Sequence, residues 1–312
     1  MNSPLTVKEA GFGVMLPNFD PFRLGAPPLL AAARLAEDLG FDSGWVGDHL
    51  SFHPPILEPC GALAAVAAVT QRLVLGTGVL LLPMRNPVWT AKQLGTVAAL
   101  APDRLIVGVG VGGENPAEFE AAGYPVAQRG RRLDEAMVVL DALLRGEAVD
   151  HPGPLLPVRS PKLEPVPSSR PPLVVGGRSA HAVRRAARLA EGWLGVWLSP
   201  RRVRAAVEDL RAHAEEFRRP VCTTVMLSFV HVTDDVEAGR AELQRFVAGQ
   251  YGMPVEAIEK WCVIGSEARV ADALAEFRDA GAESFVMLPT SANVLAQYDR
   301  LAAVRERLAT SV

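Results

Sequence analysis

An acid and an imidazole stand side by side in the run GWVGDHL, as Asp48 and His49. Imidazole titrates near neutral pH and suits proton transfer. A plainer reading has Asp48 cap the following turn and His49 serve as polar lining. Further along, VVGGRSAHAV (174–183) has the makings of an anion site. Gly176 and Gly177 free the backbone to turn. Ser179 caps a helix whose first N–H groups point outward, and Arg178 adds a charge. The alternative there is an ordinary strand-to-helix turn with a Ser cap.

Two further stretches carry glycine where a ligand could approach. GVGVGGEN (108–115) satisfies G-x-G-x-x-G with Gly108, Gly110 and Gly113. A dinucleotide fingerprint opens a helix directly, whereas Asn115-Pro116 and an irregular stretch follow here. Glycines within a strand more readily let a flat ligand or another backbone come close, or else ease the curvature of the wall. In LGTGVLLLP (75–83), Gly-Thr-Gly interrupts a long apolar run, which marks a bulge or a ligand's approach. The chain has no G-x-x-x-x-G-K-[ST], no H-E-x-x-H and no G-x-S-x-G, nor a His/Asp cluster at metal-ligand spacing. With no evident nucleophile of its own, the protein leaves the demanding chemistry to a bound cofactor.

Such residues need a scaffold, and the sequence alternates short β-branched runs with helical patterns from end to end. Eight runs predict strands, at 12–16, 43–47, 72–82, 104–111, 172–177, 193–198, 223–232 and 284–289. Several are apolar at consecutive positions, as parallel strands buried on both faces require. Helical patterns at 27–40, 86–100, 131–146, 179–192 and 268–281 carry Pro, Asn or Ser at the start or Gly at the stop. This α/β pattern predicts one domain over 1–312, a (β/α)8 TIM barrel with insertions, and an open doubly wound sheet is the runner-up. A Pro-rich stretch at 147–171 reads as an excursion or lid, and 249–264 as a second insertion. Barrel active sites lie at the carboxyl ends of the strands. That rule brings Pro17, Asn18, Asp48, His49, Gly78, Val79, Gly112 to Asn115, Gly176 to Ser179, Trp197, His231 and Thr290 to one rim.

Composition narrows the partners. The 312 residues are 49% hydrophobic and 21% charged, with net charge −3, so a sizeable core is available and disorder is excluded. Mild acidity argues against nucleic acid, which demands clustered Lys and Arg. The longest apolar run, 61–69, is far short of the roughly 20 residues of a membrane span. Cys60, Cys222 and Cys262 form no disulfide or zinc pattern, and Lys8 and Glu9 fall where a signal peptide is apolar. A cytosolic protein acting on a small-molecule substrate, with no nucleic acid or membrane partner, is the expectation.

GFDSGWVGDHL (40–50), RLVLGTGVLLLPMRNP (72–87), DRLIVGVGVGGENPAEFEAAGYP (103–125) with QRGRRLDEAM (128–137), and PLVVGGRSAHAVRRAARLAEGW (172–193) together resemble the bacterial luciferase-like family. Its members are flavin monooxygenases and deazaflavin-dependent oxidoreductases built on a (β/α)8 barrel. The resemblance implies a non-prolyl cis peptide at Gly78-Val79 propping the cofactor ring. It also implies a reactive pair at Asp48 and His49, and a phosphate cradle at Gly176, Gly177, Arg178 and Ser179.

By that resemblance, coenzyme F420 is the expected cofactor and hydride transfer to or from an organic substrate the expected reaction. His49 is the expected acid/base, with Asp48 positioning it and touching the cofactor. Gly78, Val79 and Gly112 line the ring, Asn115 joins the cofactor site, and Glu114 is a second catalytic candidate. The family's glucose-6-phosphate dehydrogenases place Glu directly after the strand-four glycines, where Gly113 intervenes here. They also carry Trp shortly after the Asp-His pair, where this chain has His53. A sugar phosphate is therefore not implied. The alternatives are an FMN-dependent monooxygenase fed by a separate flavin reductase, a non-catalytic flavin carrier, and a redox-free enzyme of phosphorylated metabolites. A homodimer is expected by analogy with relatives.

Overall fold

The computed structural model describes residues 4–310. Strands β1 (Phe12–Met15), β2 (Ser43–Val46), β3 (Val74–Thr77) and β4 (Leu105–Val109) come first. A hairpin of β5 (Val149–Pro152) and β6 (Pro157–Ser160) precedes β7 (Leu173–Gly176) and β8 (Gly192–Val196). Then follow β9 (Thr223–Val232), β10 (Cys262–Gly265) and β11 (Ser284–Pro289). The helices are α1 (Leu29–Asp38), α2 (Pro59–Ala67), α3 (Pro87–Leu100), α4 (Pro116–Ala121) and α5 (Arg129–Leu144). They continue with α6 (Ala180–Leu189), α7 (Pro200–Phe217), α8 (Val236–Tyr251), α9 (Glu267–Asp279) and α10 (Val294–Thr310).

Parallel pairing runs β11-β1-β2-β3-β4-β7-β8, and β9 joins β8 to β11, so eight strands close into a barrel. The eight expected strands are those eight, and the closed ring excludes the open sheet. Each gives one side chain to an interior cluster: Met15, Trp45, Val74, Ile106, Val174, Leu194, Val225 and Val286. Side chains rather than solvent fill the barrel, as is usual for this architecture. Trp45 is its largest member and fully buried, and Gly76 makes room for it, since a Cβ there meets the indole at 2.3 Å. The Trp45 indole N–H donates to Ser43 Oγ (2.8 Å), which donates to Ala10 O (2.6 Å), so these buried polar groups are satisfied. Val7 and Ala10 plug the amino-terminal end of the barrel. A second apolar layer lies between strands and helices.

Local outcomes differ from the sequence reading at several points, three of which bear on the site. The 72–82 run is not one strand. It breaks after Thr77, passes through a cis peptide at Gly78-Val79, and resumes only as a bridge from Leu80 to Val109. The 61–69 run lies largely within α2, which the sequence reading left unassigned. The 147–171 stretch is no lid. It joins the end of α5 to the start of β7, both at the amino-terminal end of the barrel, and lies along the outer helices. Leu155 is held by its carbonyl to Arg132 Nη1 (2.9 Å) and by its amide to Glu135 (3.2 Å). Ser168 and Ser169 donate to Asp103 (2.9 and 2.6 Å). None of its residues reaches the mouth cavity. Among the described residues no helix is long and apolar enough to cross a membrane.

Candidate active site

Loops at the carboxyl ends of the barrel strands surround a cavity of about 310 Å³. Asn18, fully buried at the end of β1, splices the first two loops. Its Nδ2 donates to Gly47 O (2.8 Å) and Leu57 O (3.2 Å), and its Oδ1 accepts from Gly47 N (3.1 Å). This fixes the chain just ahead of Asp48 and His49, both of which line the cavity.

The adjacent pair does not act on itself. Asp48 is 4% exposed, and its carboxylate accepts from Arg85 Nη2 (2.8 Å), Arg85 Nε (3.2 Å) and Leu81 N (2.8 Å). It therefore pins the segment after the cis peptide, and its carboxylate faces raise the Arg85 pKa against the pull of burial. The expectation that Asp48 orients His49 fails for this reason: its oxygens are already engaged.

The carboxylate that holds His49 is Glu118, on the short helix α4. His49 Nδ1 lies 3.0 Å from Glu118 Oε2 and 3.2 Å from Oε1. Glu118 is 1% exposed and also accepts from Ser51 N (2.9 Å). Burial alone raises its pKa, but the hydrogen bonds from His49 and the Ser51 amide outweigh that and hold it below the usual carboxylate value. An ionised Glu118 selects the tautomer with the proton on Nδ1 and leaves Nε2 as the exchangeable nitrogen. Phe52 stacks on the imidazole at 3.7 Å and 9°, and Phe19 lies edge-on at 6.4 Å, so the ring is locked between aromatic neighbours.

Glu114, the other catalytic candidate, is exposed and lines the cavity without a hydrogen bond or ion pair among the described residues. Asn115 does not line it. Its Oδ1 caps α4 at Ala117 N (3.2 Å) and its Nδ2 donates to Ser51 O (3.0 Å). It thus braces Glu118 and the His49 loop from outside.

The opposite wall is made of glycine because a valine stands in front of it. A Cβ at Gly110 meets Val79 Cγ2 at 2.4 Å, and one at Gly176 meets Val79 Cγ1 at 2.7 Å. At Gly108 the obstacle is the Thr77 carbonyl oxygen, 2.0 Å away. The strand glycines thus admit the Gly78-Val79 corner, one of the two close approaches their sequence suggested. Gly78, Val79, Gly112, Gly176 and Gly177 all line the cavity.

Gly177 has φ +137°, and its carbonyl accepts from the Trp193 indole (2.8 Å). It leads into Ser179, whose side chain accepts from Ala182 N at the start of α6 (3.3 Å). Ser179 and Arg178 are exposed outside the cavity lining, beside that helix start. The Arg178 guanidinium lies 5.2 Å from the Trp197 ring and 5.8 Å from the Trp261 ring.

The 249–264 segment completes the mouth. β9 is long enough to pair with β8 along 223–227 and with β10 along 229–232, so β10 raises the wall above β8. Trp197 packs against Tyr251 (5.4 Å), Phe229 (5.8 Å) and Trp261 (6.3 Å). A Cβ at Gly249 meets Pro21 O at 1.9 Å, so only glycine lets α8 close on the loop after β1. Elsewhere, burial pushes the thiols of Cys60, Cys222 and Cys262 up to about 12, which leaves them protonated at neutral pH.

The comparisons with known proteins agree with this fold. The luciferase-like monooxygenase family profile matches residues 11–284. An F420-dependent hydroxymycolic acid dehydrogenase of Mycobacterium tuberculosis is 30% identical over 257 residues, 78% of this chain and 69% of that protein. An F420-dependent glucose-6-phosphate dehydrogenase of Microbacterium testaceum is 32% identical over 180 residues, 55% of this chain and 53% of that enzyme. The chain spans about half the length of the first curated relatives it matches. Among solved structures, an F420-dependent secondary alcohol dehydrogenase with an F420-acetone adduct superposes with a TM-score of 0.84 at 20% identity, covering 96% of this chain and 99% of that one. With its barrel closed and the family profile matched over most of its length, the chain belongs to the luciferase-like monooxygenase family.

Proposed function

We propose that the protein is an F420-dependent oxidoreductase that moves a hydride between the deazaflavin and a small organic substrate. The observation that carries this reading is His49, held at Nδ1 by buried Glu118 and lining the same cavity as the Gly78-Val79 corner. The residues present fit a flat ring with an anionic tail. Val79 and the bare backbone of Gly112 and Gly177 offer a low wall, and the first turn of α6 offers N–H groups without intrahelical acceptors beside Arg178. When bound, the deazaflavin supplies the two-electron hydride chemistry.

The chain's own work is to position and to move a proton. Asp48, Arg85 and the Leu81 amide hold the Gly78-Val79 corner in place, where it would support the cofactor. His49 Nε2 gives a proton to, or takes one from, the substrate oxygen, while Glu118 stabilises the imidazolium that forms on uptake. The aromatic wall of Trp197, Phe229 and Tyr251 excludes water. F420 is favoured over FMN because the sequence relatives of named activity, a glucose-6-phosphate dehydrogenase and a hydroxymycolic acid dehydrogenase, are F420-dependent. The same reading takes the enzyme as cytoplasmic and homodimeric, which fractionation and sedimentation velocity test.

Titration with oxidised and reduced F420 and FMN, followed by absorbance and fluorescence, is the test. Saturable F420 binding is expected, weakened at least about tenfold by Gly177→Leu, which has no room beside Ala182. Preference for reduced FMN with oxygen uptake instead makes the protein a monooxygenase supplied by a partner reductase. If neither cofactor binds, the redox reading is lost.

A further inference from the structure

The cavity has two unlike halves. The arc from β2 to β7 carries His49 and the glycine wall. The arc from β8 through β9 and β11 to β1 is apolar, with Phe19, Phe22, Leu227, Phe229, Phe246 and Leu288. Among the described residues, no Lys or Arg lines either half. Its acidic lining residues are Asp20, Asp48 and Glu114. Asp20 is engaged by the amides of Leu24 (2.8 Å) and Gly25 (2.9 Å), and Asp48 by Arg85, whereas Glu114 is unpaired among the described residues. An anionic substrate meets carboxylates here and no cation.

Two polar groups that line the apolar half are unanswered among the described residues, the Trp197 indole N–H and the Gln250 amide. Gln250, on α8, is 4% exposed, lines the cavity, and its Oε1 is buried without a hydrogen-bond partner. Buried polar side-chain atoms are in large majority bonded, and leaving one unmet costs about 1–3 kcal/mol. The position is built, because Gly249 beside it seats α8 directly on the Pro21 carbonyl. A hydroxyl satisfies the amide in either of its two orientations, since O–H both donates and accepts.

We propose that Gln250 determines specificity: it binds a hydroxyl of a neutral, mainly apolar alcohol, and the cavity rejects phosphorylated and carboxylated substrates. The chemistry done on that alcohol rests on the F420 reading above. The binding does not, and it is measured without cofactor.

The test uses the full chain and a panel of linear, branched and cyclic monohydric alcohols from butanol to dodecanol, set against glucose 6-phosphate and cyclohexanecarboxylate. Binding is read by intrinsic tryptophan fluorescence and by thermal shift. Saturable binding of one or more alcohols is expected, with no binding of either anion. Gln250→Leu should weaken the best alcohol about tenfold while melting no lower than the wild type, because it removes an unmet polar group. Gln250→Met is the second variant and should behave alike. The proposal is overturned if no alcohol binds, if either anion binds as tightly as the best alcohol, or if both variants keep wild-type affinity. F420 titration of the same samples separates the two readings, since loss of F420 binding with retained alcohol binding sinks only the cofactor assignment.

Discussion

His49 and Glu118 are 69 residues apart in sequence and share a hydrogen bond at the cavity. Because Glu118 stays ionised and Nδ1 is engaged, only Nε2 is free to exchange a proton with a substrate. His49→Ala should lower turnover about 10²-fold or more while changing F420 affinity far less, as stopped-flow reduction and equilibrium titration will show. Glu118→Gln keeps a polar side chain but loses the charge, and a fall of about 10–100-fold in turnover is expected. The sign of the pH effect follows from the lowered Glu118 pKa. Its folded value lies below the unfolded one, so its contribution to stability is complete above the unfolded value and disappears as pH falls through the folded one. The wild type should therefore lose more stability than Glu118→Gln on acidification over that window, read by melts across pH. Sequence adjacency pointed to Asp48 as the partner of His49, because spacing is all a sequence displays. The fold of α4 brings the true partner back, and Glu118 left only one trace: an acid in the first turn of a short Asn-Pro-capped helix.

At the scale of elements, the corner after β3 is held from both sides. Asp48 and Arg85 clamp one side, and the glycines of β4 and β7 yield to Val79 on the other. Arg85→Gln removes the cation from a carboxylate that is almost wholly buried. A loss of about 2–4 kcal/mol is expected in denaturant unfolding, between the values for exposed and buried pairs. Gly110→Ala should cost about 1–3 kcal/mol by overpacking, and Val79→Ala in the same chain should restore most of it, a coupling that a double-mutant cycle measures. The barrel strands were legible because runs such as LIVGV and LVVG are apolar on both faces, as the double burial in β4 and β7 demands. α2 was not, because Cys60, Leu63, Val66 and Ala67 leave it too apolar for a clear stripe. Nor was the course of 147–171, since proline content reports irregular chain without saying at which end of a barrel it lies. Gly110 shows the same limit at the site: its type announced a close approach, and only the fold identified Val79 as what approaches.

For the whole molecule, the mouth begun by the loops after β1 and β2 is completed late in the chain, by α8 and the start of α10, with β10 packed beside them. His231 sits among these elements, 5% exposed, near Glu242 (3.4 Å), which also accepts from Ser291 Oγ and Ala292 N (both 3.0 Å). Burial lowers its pKa below 6.5 despite that carboxylate. The unfolded chain then binds the proton first, so stability falls as pH drops below about 6.5 towards the lower folded value. His231→Gln should flatten this part of the stability profile in urea titrations.

The β5-β6 hairpin starts from the amino-terminal end of the barrel and runs back along the outside of α5, where Arg132 and Glu135 in that helix's first turns hold Leu155. A tether, label or fused peptide spliced beside exposed Pro154 in its turn meets none of the residues that line the chamber, which makes that turn a natural point for fixing the protein to a surface.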